Sequence, residues 1–234
     1  MDPRLRRLIR KIKNDKLRRM VSELVEEPRF EVNGKVYSGL PLTDSPASLS
    51  RHHSYPGGLI EHIISTAKIA MAICDSVEEV YHGRINRDLV ISGVILHDLF
   101  KPLTYRLKED GTYGASQLGE RIDHLTLISS ELIRRGFPLD LIHIVCAHHG
   151  EAGPITPKTI EALICHIADM ADSKLNNEVI RAALYLVREV TGETLESMNS
   201  KEAFRIVQLK TELGWDGVKR ALEEIGKREG DGEG

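Results

Sequence analysis

Seven side chains able to bind metal recur along the chain: His62, the adjacent pair His97-Asp98, His124, the pair His148-His149, and Asp169. The pair His97-Asp98 closes the run Leu89-Val90-Ile91-Ser92-Gly93-Val94-Ile95-Leu96, which is almost wholly apolar and belongs in an interior. An imidazole and a carboxylate buried there would cost several kcal/mol unless paired or bound to a cation. A metal ion removes that cost and gives both residues a role. Imidazole with carboxylate and no thiolate is not the donor set of a structural zinc site. It suits Mn(II), Fe(II), Co(II), Ni(II) or a catalytic Zn(II). Six or seven ligands exceed what one ion with an open position needs, so two divalent ions are expected. Asp98 is the natural bridge because it has two oxygens and follows another ligand.

Around these residues most of the chain reads as helix. Asp2 to Lys13 and Asp15 to Glu26 are short amphipathic segments. A long helix from Gly58 to about Val77 is apolar nearly all round and carries His62, the pattern of a central core helix. Further helices are expected at about Arg87–Phe100, Leu118–Arg135, Leu139–Ala147 and Pro157–Lys174, with two or three more between Asn177 and Gly226. Four of these helices offer histidine or aspartate at an end or on a buried face, which is how helix bundles build metal sites. Asn33-Gly34 predicts one β-hairpin, and Asp110-Gly111 a second. The fold class is all-α, a helical bundle with one or two minor hairpins. The expected division is an N-terminal segment (1–45), the metal-bearing domain (46–176), C-terminal helices (177–226) and a disordered glycine-rich tail (227–234).

Asp172 lies three residues after Asp169 on one helix face. It either orients a ligand histidine from behind or pairs with Lys174 or Arg181. His52 and His53 sit in a Pro/Gly-rich loop ahead of the His62 helix. They are candidates for binding phosphate, for protonating a leaving alcohol, or for stabilising the turn.

The chain has 234 residues with 41% hydrophobic and 29% charged, an ordinary globular composition. Its net charge of −3 gives no global basic field for nucleic acid. The basic N-terminus (Arg4, Arg6, Arg7, Arg10, Lys11, Lys13) reads as a solvated helix face. Cys74, Cys146 and Cys165 form no CxxC and suit free thiols in a reducing cytoplasm. The charged N-terminus lacks the apolar core of a secretion signal, and no apolar run reaches 18 residues. The expectation is a cytoplasmic enzyme with no membrane segment.

The order His, His-Asp, His, His-His, Asp resembles the HD superfamily of metal-dependent phosphohydrolases. The stretches HHSYPGGLIEH (52–62), HDLFK (97–101), AHHG (147–150) and PKTIEALICHIADMADSKL (157–175) are similar to the HD domain of YhaM-type 3′–5′ exoribonucleases and their archaeal relatives. Among the latter is a phosphodiesterase acting on 7,8-dihydroneopterin 2′,3′-cyclic phosphate in pterin synthesis. The resemblance covers about Pro46 to Leu175. It implies that His62, His97, Asp98 and Asp169 hold one ion and Asp98, His124, His148 and His149 the other. Two ions about 3.5–4 Å apart would then activate a shared water for in-line attack on a phosphate.

Lys101 resembles the family's HD-motif lysine, which implies charge stabilisation at the phosphoryl oxygens; otherwise it is a surface lysine before Pro102. The family pattern HD-x-G-K has glycine where this chain has Phe100, so the loop before Lys101 is expected to sit differently. About 45 residues precede the matched region, too few for the five-stranded barrel that YhaM-type enzymes carry there. The resulting expectation is a phosphodiesterase opening a cyclic phosphate on a small nucleotide-derived molecule, with iron or manganese as the favoured metal. The alternatives are an exoribonuclease, which a single tryptophan and 5% aromatics equip poorly for base stacking, and a diiron oxygenase. A homo-oligomer through the C-terminal apolar stripes is compatible with the sequence.

Overall fold

The computed structural model describes residues 1–195 and 198–230. The helices are α1 (Pro3–Ile9), α2 (Asp15–Glu26), α3 (Gly58–Val80), α4 (Arg87–Leu96), α5 (Lys101–Thr104), α6 (His124–Arg134), α7 (Leu139–Ala147), α8 (Ile160–Thr191), α9 (Ser200–Leu213) and α10 (Trp215–Gly230). Two antiparallel hairpins interrupt them, β1 (Phe30–Val32) with β2 (Lys35–Tyr37), and β3 (Tyr105–Leu107) with β4 (Tyr113–Ala115). This is the all-α bundle with two minor hairpins that the sequence predicts. Asn33 and Gly34 both take positive φ, 51° and 72°, as a type I′ turn requires.

The main core joins α1 to α8. Leu5, Ile12, Val21, Leu24, Ile63, Ile95, Leu96, Ile128, Ile144 and Ala168 are all within it. Helix α4 lies at its centre, with Val90 to Leu96 buried throughout. Gly93 lets it approach α7, because a Cβ there would stand 2.3 Å from Ile144 Cγ2. Phe100 is fully buried in this core with φ −96°. That backbone needs no glycine, so a large side chain fits where the family pattern has a small one.

A second core lies beyond. It gathers Tyr55 with Ile180, Ala183 and Val187 of α8, Ala203, Ile206 and Leu209 of α9, and Val218 and Ala221 of α10.

Three expected boundaries move. The helix predicted to stop near Lys174 continues to Thr191, because Asp172 and Asn176 face inward and extend the buried stripe Cys165, Ala168 to Ile180, Ala183, Val187. One helix therefore crosses the division expected at 176/177. The helix predicted from Leu118 begins at His124, where the Asp123 side chain accepts the Thr126 N–H at 2.7 Å. Helix α10 extends to Gly230, into the segment expected to be disordered; residues 231–234 lie outside the described residues. No helix among the described residues is long and apolar enough to cross a membrane.

Candidate metal centre

Helix ends set the ligands. His97 and His148 are the C-terminal caps of α4 and α7. Carbonyls of a last turn lack helical partners, and the two rings use them. His97 Nδ1 donates to the Val94 carbonyl at 2.8 Å and His148 Nδ1 to the Val145 carbonyl at 2.7 Å. Since a carbonyl can only accept, both Nδ1 atoms carry the proton. In the neutral rings this leaves the Nε2 lone pairs aimed into the cluster. His62 projects from the first turns of α3 and donates Nδ1–H to Asp172 Oδ2 at 2.7 Å. Asp172 thus orients a candidate ligand from behind, one of the two roles its spacing suggests.

The first half-site is compact. His62 Nε2 lies 3.1 Å from His97 Nε2, 3.2 Å from Asp169 Oδ1 and 3.5 Å from Asp98 Oδ2. His97 Nε2 is 3.3 Å from Asp98 Oδ2 and 3.8 Å from Asp169 Oδ1. Donors about 2.1 Å from a common ion stand about 3.0 Å apart in an octahedron and about 3.4 Å apart in a tetrahedron. The four donors therefore fit one cation. Burial alone would lower the His62 pKa, but hydrogen bonds to Asp169 and Asp172 outweigh it and hold it at about 9.

The second half-site shares Asp98. His124 Nε2 and His148 Nε2 lie 3.2 and 3.7 Å from Asp98 Oδ1, and donor atoms of His124, His148 and His149 all lie within 4.8 Å of one another. Asp98 Oδ1, His124 Nε2 and His148 Nε2 are buried with no hydrogen-bond partner among the described residues. Three converging orphaned polar atoms would be costly in a finished protein core. Burial pushes the pKa of His148 well down and that of His149 down, so neither takes up a proton as His62 does. A cation would satisfy all three atoms at once.

Lys101 is not a surface lysine. It is buried, and Nζ donates to Asp98 Oδ2 at 2.5 Å. Burial disfavours both charges, but each stabilises the other. The Lys101 pKa is raised and that of Asp98 lies well below the usual carboxylate range, with His97 and His124 assisting. His52 lies beside His62, with ring centroids 5.1 Å apart. Burial pushes its pKa down to about 3, so at neutral pH it is a neutral hydrogen-bonding ring and has no second proton to give a leaving alcohol.

His53, a candidate for binding phosphate or for stabilising the turn, lies behind Asp172. Its Nε2 is 2.9 Å from Asp172 Oδ2 and its Nδ1 2.7 Å from the Tyr55 hydroxyl. Both nitrogens are spent, and the residue, at φ 47°, has the turn-stabilising role. Sequence reasoning missed Tyr55 and Asn176 altogether. Asn176 follows Asp169 and Asp172 at helical spacing, a polar stripe within an apolar face that did carry a signal.

Beside His124 and His149 a groove of about 500 Å³ opens, lined also by Thr126, Ser129, Ile133 and Cys146. This is a size suited to a small organic molecule. A larger groove of about 780 Å³ lies along the N-terminal segment and Ser38–Thr43 and contains none of the candidate ligands.

Fold and site together form a helical bundle around a histidine–aspartate cluster. An HD domain family model matches residues 59–174. The chain is 40% identical over 211 residues to the dihydroneopterin 2′,3′-cyclic phosphate phosphodiesterase of Methanocaldococcus jannaschii, a match spanning 90% of this chain and 84% of that one. It is 30% identical over 176 residues to the 3′-5′ exoribonuclease YhaM of Bacillus subtilis, spanning 70% of this chain but only 51% of the relative. No solved structure gives a significant match. The chain belongs to the HD-domain family.

Proposed function

We propose that this chain is a metal-dependent phosphodiesterase that opens a cyclic phosphate on a small molecule, with 7,8-dihydroneopterin 2′,3′-cyclic phosphate as the substrate. The observation that carries the metal reading is the set of orphaned atoms, Asp98 Oδ1, His124 Nε2 and His148 Nε2, converging beside a second set that shares the same carboxylate. The substrate reading is supported by the match to the archaeal phosphodiesterase along nine-tenths of the chain. His62, His97, Asp98 and Asp169 would hold one divalent ion, and Asp98, His124, His148 and His149 the other. Iron or manganese suits these donors best, with zinc, cobalt and nickel also accepted. Bound there, the ions would supply Lewis-acid polarisation of the phosphate and a water acidified toward neutrality.

The chain's own residues do the rest. Asp172, Val94 and Val145 fix the ring orientations through their hydrogen bonds to His62, His97 and His148. Lys101, buried with its charge intact, provides a donor for the phosphoryl oxygens as negative charge grows on them. His52 offers a neutral ring that hydrogen-bonds without ionising. The groove beyond His124 and His149 receives the organic part of the substrate, Ile133 giving apolar contact and Thr126 and Ser129 polar contact.

The test is hydrolysis of a 2′,3′-cyclic phosphate set against a short single-stranded RNA. The protein is prepared without oxygen and loaded in turn with Fe(II), Mn(II), Zn(II) or Mg(II). Rapid ring opening with intact RNA is expected. Stepwise RNA shortening would move the chain to RNA decay, and oxygen consumption without hydrolysis would replace the reading with an oxygenase.

A further inference from the structure

The second core is tied to the candidate metal centre by a polar chain running from half-buried Ser200 of α9 inward to His62. Ser200, the first residue of α9, accepts from Asn176 Nδ2 at 2.6 Å, and its hydroxyl hydrogen-bonds that of Tyr55. The Tyr55 hydroxyl contacts Glu61 Oε2 at 2.8 Å and His53 Nδ1 at 2.7 Å. From His53 the chain continues through Nε2 to Asp172 Oδ2, which takes the Nδ1–H of His62. Asn176 closes a second path, since its Oδ1 accepts the His53 backbone N–H at 2.7 Å. His53, Tyr55, Asp172 and Asn176 are each at most 5% exposed.

Burying this many polar groups is tolerable only if each finds its partner. Without the Ser200 hydroxyl, the Tyr55 hydroxyl and Asn176 Nδ2 lose a common partner. His53 is then free to shift, and with it the carboxylate that aims His62. The Tyr55 side chain also packs in the second core with α9 and α10, so those helices fix its position sterically as well.

We infer that Tyr55, Asn176 and Ser200 are positioning residues for His62, so that α9 is a working part of the first metal half-site. This rests on the metal reading proposed above. A partner bonded directly to a ligand, as Asp172 is to His62, typically changes metal affinity 10–100-fold; Tyr55, Asn176 and Ser200 act on that carboxylate through His53, so about tenfold is their upper limit. The variants are Tyr55→Phe and Ser200→Ala, with Ser200→Thr restoring the hydroxyl. Mn(II) binding is followed by equilibrium titration, with ions per chain measured and folding checked by circular dichroism.

In Tyr55→Phe and Ser200→Ala the tighter Mn(II) affinity is expected to fall severalfold, up to about tenfold. The half-site of His124, His148 and His149 keeps its own affinity, and Ser200→Thr recovers most of the loss. Wild-type affinities for both ions in a folded Tyr55→Phe variant would overturn the inference while leaving the metal reading standing. A wild-type chain that binds no Mn(II), Fe(II) or Zn(II) would overturn the metal reading itself, and this inference with it.

Discussion

The two half-sites share Asp98 and differ in almost everything else. Around His62, His97 and Asp169 every donor is anchored from behind or bonded across the site, and a proton on His62 holds the group together. Around His124, His148 and His149 only His148 has an anchor, and three buried atoms have no partner among the described residues. The first is preorganised by the interior of the protein. The second, at the mouth of a groove, has the looser arrangement that a bound cation would order. The first should therefore bind metal tightly and exchange slowly, while the second should exchange with solvent.

The most drastic way to break the comparison is to remove the shared residue. Asp98→Asn keeps the shape of the side chain and leaves Lys101 an acceptor. It is expected to abolish turnover and lower bound metal from two ions to one or none, with helical content preserved by circular dichroism. Lys101→Met separates chemistry from binding. Metal content should stay at two while kcat falls about 10²–10³-fold, the usual cost of losing one donor to a developing oxyanion. His149→Ala acts on the weaker half alone. One ion should remain at wild-type affinity, and the other should be lost at micromolar metal.

The mildest test is pH. His62 in the folded, metal-free protein titrates at about 9 against an ordinary 6.5. Its contribution to stability is therefore complete below pH 6.5 and lost as pH rises through 9. A metal must displace that proton, so its affinity strengthens over the same interval. Melting temperatures of metal-free and loaded protein should diverge between pH 6.5 and 9, the metal-free form falling. Parallel curves would show that no proton is exchanged.

Much of the first half-site was legible because its logic is local. His97-Asp98 closes an apolar run, and such a run in a bundle ends inside; both residues are at most 2% exposed. The end of α8 was not legible. Ser173-Lys174 and Asn176-Asn177 look like a polar exit from a helix, but the partners that keep Asp172 and Asn176 inside, His53 and Ser200, come from distant parts of the chain. The use of His53 was hidden for the same reason. Its left-handed backbone turns the ring toward Asp172, 119 residues away, and no spacing rule reaches that far.

Helix α8 also constrains how the protein can change. Its 32 residues span about 48 Å without a break, carrying Asp169 and Asp172 near the middle and Ile180, Ala183 and Val187 toward the far end. One residue inserted between Asn176 and Ile180 would turn the far end by about 100°, directing the second core away from Tyr55. Seven residues would nearly restore the phase but displace it about 10 Å along the axis. Length here is a phase relation between two ends of one rod. Insertions and deletions in this segment should be excluded in functional variants, even where single substitutions on its outer face pass unnoticed.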